Sequence, residues 1–110
     1  MRQIVLNELN KDEAQKARGF LDSNLRAAAV IGLYWLQIPQ ELRGEAQAGH
    51  ELCGPFAFAV ELGDDFLSFE LLVRSESNLH CSCTAYATPG QRDFLLALMD
   101  RLVNEQALKA

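Results

Sequence analysis

The chain is expected to fold as an α+β two-layer sandwich, an antiparallel β-meander of about four strands with N- and C-terminal helices packed on one face. Three observations predict it. Phe56, Phe58, Val60 and Leu62 alternate with Ala57, Ala59 and Glu61, the period of two that puts large apolar groups on one side of a strand. A second alternating run follows after Gly63, Asp64 and Asp65. Both ends of the chain carry helix-start signals followed by apolar residues at helical spacing. An amphipathic helix needs a surface to cover, and one greasy face of an antiparallel sheet supplies it.

The first helix is expected from about Lys11 to Ser23. Asn10 can cap its amides while Glu13 reaches back, a capping box. Ala14, Ala17, Phe20, Leu21 and, just beyond, Leu25 form its apolar stripe, and Gly19 either weakens its middle or permits close contact with the sheet. Gln3–Leu6 reads as a short edge strand. From Ala27 to Ile38, the residues Val30, Ile31, Tyr34, Trp35 and Ile38 favour a strand with Gly32 at a bulge, the alanine run leaving helix as the alternative. Pro39 and Gln40 open a polar segment, Glu41–Gly49, with room for one or two helical turns and the character of a mobile region.

The central hairpin joins Phe56–Leu62 to Phe66–Arg74. Pairing Phe58 with Phe69 across a tight Gly63–Asp64 turn keeps the apolar sets together, and a slip of two residues would also do so. After Ser75–Asn78, a third strand over Leu79–Tyr86 is expected to present Leu79, Cys81, Cys83 and Ala85 to one side and His80, Ser82, Thr84 and Tyr86 to the other. The last helix starts with Thr88 as cap, Pro89 in the first position and Gln91 completing the cap. Phe94, Leu95, Leu98, Leu102 and Val103 are its core stripe.

Composition narrows the function classes. At 110 residues, with 49% hydrophobic and 23% charged content, the chain suits one globular domain, residues 1–110, that needs no staples. Ten basic residues against fifteen acidic ones give a net charge of −5, without the concentrated positive charge that nucleic acid requires. Three cysteines cannot make a full disulfide framework, and with no leader-like start this points to the cytoplasm. No apolar stretch is long enough for a membrane span. No Gly-rich phosphate loop or hydrolase signature occurs, so no cofactor is expected and no catalytic residue is assigned.

The chemistry-bearing side chains fall in two windows, His50 with Cys53, then His80, Cys81 and Cys83. On a regular strand, Cys81 and Cys83 would be small apolar residues of the core, and that is the expectation. The alternatives are a zinc site built from His50, Cys53, Cys81 and Cys83, and a redox or nucleophilic thiol; against the zinc site, a C-x-C pair in a strand holds its thiols far apart, and against the reactive thiol, an apolar setting raises a thiol's pKa. A polar sheet face carrying Glu70, Arg74, His80 and Tyr86 offers a second candidate site, where a carboxylate near a His could support acid-base work. The free sheet face, with Tyr34, Trp35 and Leu72, offers an interface. The leading functional expectation is an acidic interaction, adaptor or chaperone-like module acting as a homodimer. The element order is loosely similar to that of small acidic secretion chaperones, an analogy of fold order alone that assigns no family.

Overall fold

Local signals set the elements, and a computed structural model describes residues 1–109 of the chain. Helix α1 spans Lys11–Asn24. Asn10 Oδ1 accepts from the Glu13 amide at 2.8 Å while Glu13 Oε1 accepts from the Asn10 amide at 3.1 Å, so two amides that the first turn leaves unpaired are satisfied. Ala17, Phe20 and Leu21 are its buried face. Gly19 is solvent-facing with nothing within 4 Å of where a Cβ would sit, so it makes no close approach to the sheet. Helix α2 spans Pro89–Glu105, capped by Thr88 with Gln91, and buries Leu95, Leu98 and Leu102.

Among the described residues, six strands form one antiparallel sheet: β1 (Gln3–Leu6), β2 (Arg26–Ala27), β3 (Leu33–Gln37), β4 (Phe56–Leu62), β5 (Leu67–Ser75) and β6 (Ala85–Tyr86). The order is β1-β5-β4-β3-β2, with β6 also pairing to β5. Phe56, Phe58, Val60 and Leu62 of β4 join Leu67, Phe69 and Val73 of β5 and the buried residues of both helices in a single hydrophobic cluster. Both helices therefore lie on one side of the sheet, the expected two-layer α+β arrangement. Burial of this cluster is the main stabilising contribution, at about 25 cal/mol per Å² of apolar surface removed from water.

Three local expectations are corrected. The stretch from Ala27 to Ile38 is not one strand: β2 stops at Ala27, a turn follows, and Gly32 (φ +87°) redirects the chain into β3. Gly32 belongs there because a Cβ would sit 2.8 Å from the Leu62 carbonyl oxygen, in a left-handed conformation that side chains resist. The β4–β5 hairpin closes through Gly63–Phe66 with Leu62 opposite Leu67, so the loop is wider than a tight Gly63–Asp64 turn. The hairpin end thus adopts the register slipped by two residues. An irregularity then accommodates extra residues on β5, placing Phe58 opposite Val73 and Val60 opposite Phe69.

The third correction matters most for the site. The third strand exists only as Ala85–Tyr86, whereas Leu79–Thr84 turns back on itself. The Cys81 amide donates to the Asn78 carbonyl at 3.1 Å, and the Thr84 amide to the Cys81 carbonyl at 3.2 Å. Backbone groups paired within the loop cannot also join a sheet ladder. Side-chain alternation therefore does not apply here, and Leu79 is 58% exposed instead of buried. Across the sheet end, the segment between β3 and β4 is ordered as three short 3-10 turns, Gln40–Leu42, Glu45–Gln47 and Glu51–Cys53. Among the described residues, no helix is long and apolar enough to cross a membrane.

Candidate metal centre

Two turns from separate parts of the chain meet beside the sheet. His50 precedes the Glu51–Cys53 turn and Cys53 ends it, while Cys81 and Cys83 lie in the Leu79–Thr84 loop. His50 Nδ1 or Nε2 and the three Sγ atoms all lie within 4.8 Å of one another. Cys53 Sγ is 3.2 Å from Cys81 Sγ, and Cys81 Sγ is 3.2 Å from His50 Nδ1. A tetrahedral zinc site with Zn–S bonds near 2.3 Å has sulfur–sulfur edges of about 3.8 Å. The observed separations bracket that value. The obstacle seen in the sequence disappears because C-x-C lies on a turn, where both sulfurs can face the same point.

Backbone and side-chain ties hold each turn in place. The Ser77 hydroxyl donates to the Cys53 carbonyl at 2.9 Å, and the Ser75 hydroxyl donates to the same oxygen. The Cys83 amide donates to Cys81 Sγ at 3.4 Å, an N–H···S contact that favours the thiolate. Behind the cysteines sits a buried amide pair. Gln47 Nε2 donates to the Cys83 carbonyl at 3.0 Å, and Gln47 Oε1 accepts from the Gly44 amide at 2.9 Å and from Gln91 Nε2 at 3.1 Å. Gln91 Nε2 also reaches the Leu42 carbonyl at 2.9 Å, while its Oε1 accepts from the Thr88 amide at 3.0 Å. Helix α2, the 40–53 segment and the cysteine loop are thereby joined by a satisfied polar network in the core, where leaving one partner unpaired is costly.

The three thiols differ in ionisation. Cys81 is lowered to about 7, first by the hydrogen bond from the Cys83 side chain, then by the Cys83 amide and Cys53, with attraction from His50 contributing. Cys83 is pushed up to about 12, mainly by burial and then by its hydrogen bond to Cys81. Cys53 is raised because its thiol donates to Cys81. One thiolate thus forms readily, and the other two thiols hold their protons to support it. A metal ion would displace those protons and bind all three sulfurs.

The expectation of core packing describes part of this. Cys83 is fully buried and belongs to the hydrophobic cluster, whereas Cys53 and Cys81 are partly exposed at its margin. The other candidate residues disperse. Glu70 and Arg74 pair with each other at 3.2 Å, Tyr86 lies under Arg2 with the guanidinium carbon 3.8 Å from its ring centre, and exposed His80 donates its amide to Asn78. No hydrogen bond joins His80 to Glu70, Arg74 or Tyr86 among the described residues, because the loop, not a strand, sets its direction. Of the interface candidates, Trp35 and Leu72 are half-buried, but Tyr34 is 3% exposed in the helix-covered core and donates to Asp22 of α1 at 2.6 Å.

The sequence marks Gln91 only as a cap residue, and Gln47 not at all. The signal for Gln91 is its place three residues after Thr88. Gln47 lies in a polar stretch with nothing local to mark it as buried. No protein-family model matches the chain, and comparison with curated proteins and with solved structures finds no significant match.

Proposed function

We propose that this chain is a zinc-binding protein whose centre is formed by His50, Cys53, Cys81 and Cys83 and ties the 40–53 segment to the 79–84 loop. The observation that carries this reading is the convergence of one imidazole and three sulfurs, from two turns, within 4.8 Å. Core packing accounts for one buried cysteine but does not require a second loop to supply another thiol and an imidazole. Soft sulfur donors with one nitrogen suit zinc, and four protein ligands leave no open position for a substrate, so the role is structural rather than catalytic. This reading displaces the adaptor expectation as the leading one, since the apolar patch that expectation invokes loses Tyr34 to the core while the four donors come together.

Elemental analysis of protein purified without chelator tests it, with one zinc per chain expected. Cobalt substitution should give the intense visible bands of tetrahedral thiolate coordination, and Cys53→Ser should remove them. Metal-free protein that stays fully folded and takes up neither zinc nor cobalt would end the proposal.

A further inference from the structure

The cysteines at this centre are not equivalent in access or spacing, and the difference selects one pair. Cys53 and Cys81 are partly exposed, whereas Cys83 is sealed in the core. Cys53 Sγ and Cys81 Sγ stand 3.2 Å apart, so a bond of about 2.05 Å needs a sulfur displacement of little more than 1 Å. Their two turns are fixed independently of any metal, Cys53 by Ser75 and Ser77 and the Cys81 turn by the Asn78 carbonyl.

We propose that Cys53 and Cys81 are an oxidation site at which hydrogen peroxide forms an intramolecular disulfide and expels the metal, an inference whose metal arm rests on the zinc reading above. The Cys81 sulfur attacks one peroxide oxygen and the O–O bond breaks. Cys81 becomes a sulfenic acid, and the departing hydroxide takes a proton to leave as water. The Cys53 sulfur then attacks the Cys81 sulfur, the S–S bond forms, and the sulfenic oxygen leaves as a second water. The two sulfurs together lose two electrons, and peroxide gains them with two protons. Zinc is left with only Cys83 and His50 and dissociates. Because the disulfide joins the same two turns that the metal joined, the oxidised chain stays folded and a dithiol reductant reverses the change.

The test treats reduced, zinc-loaded protein and metal-free protein in parallel with excess hydrogen peroxide, with a chromogenic chelator reporting zinc. Trypsin leaves Cys81 and Cys83 on one peptide and Cys53 on another, since Arg74 lies between them. Fragmentation mass spectrometry then reads the linkage. The expected result is a Cys53–Cys81 bond in both samples, one zinc released per bond formed, and full rebinding after dithiothreitol and zinc. Cys83→Ala, metal-free, should still form the bond, and Cys53→Ser should not. A Cys81–Cys83 linkage, or zinc retained with all thiols intact, would overturn the proposal. If the chain binds no metal yet links Cys53 to Cys81, the zinc reading fails and the oxidation site stands. If it binds zinc but never forms the bond, the reverse holds.

Discussion

The helix-covered sheet and the loop end of this molecule are held together by different forces. In the sheet half, Phe58, Phe69, Leu21 and Leu95 are fully buried and neighbouring strands are joined by backbone ladders. In the loop half, buried glutamines, serine hydroxyls and four metal-type donors tie together chain segments that share little regular structure. Apolar burial is non-directional and tolerates adjustment, while the polar ties depend on each partner standing where the next one needs it. The first half should be stable whatever the metal content. The second should respond to metal, oxidation and pH.

Changes in each half should separate these dependencies. The largest effect is expected from Phe58→Ala, which opens a cavity at a fully buried position and should cost about 3–5 kcal/mol. Urea unfolding should find that loss equal with and without zinc. A smaller effect, confined to the loop half, is expected from Gln47→Ala. It removes the donor to the Cys83 carbonyl and the acceptor for Gln91, and zinc affinity by competition titration should fall roughly 10–100-fold.

Acid-base behaviour sharpens the contrast further. Folding lowers Cys81 from 9.0 to about 7, so between those values the unfolded chain binds the extra proton. This thiol therefore stabilises the metal-free fold increasingly as pH rises from 7 to 9, and that contribution is lost as pH falls through 7. Cys83, raised from 9.0 to about 12, acts in the opposite sense as pH climbs above 9. Urea midpoints of metal-free protein should rise from pH 7 toward 9, and the rise should vanish in Cys81→Ser. The smallest effect is a stabilisation by substitution. Gly19→Ala fills open space on α1 and should stabilise the sheet half by about 1 kcal/mol, raising the midpoint without altering zinc affinity.

The same division explains what was legible in the sequence. Both capping boxes, the apolar stripes of α1 and α2, and the Phe56–Leu62 alternation are short-range signals, and each appears in the structure where the residues place it. The alternation of Leu79, Cys81, Cys83 and Ala85 looks the same on the page but carries no strand, since Asn78 and Cys81 carbonyls capture the amides locally. Periodicity reports which residues could share a face, not whether the backbone is free to pair. The donor set was visible as residue types, but its convergence depends on contacts between residues far apart in sequence, such as Gln47 with Gln91, which no local pattern encodes.

Strands β1 and β6 lie end to end along the outer side of β5, which brings the start of the chain against the exit of the cysteine loop. The Arg2 amide donates to the Tyr86 hydroxyl at 3.3 Å and the Arg2 guanidinium stacks on its ring. An affinity tag fused ahead of Met1 would therefore lie beside the strand that leaves the cysteine loop, and a polyhistidine tag would bring competing imidazoles to that side of the molecule. Protein produced with its purification handle at the other terminus gives the cleaner reading of metal content.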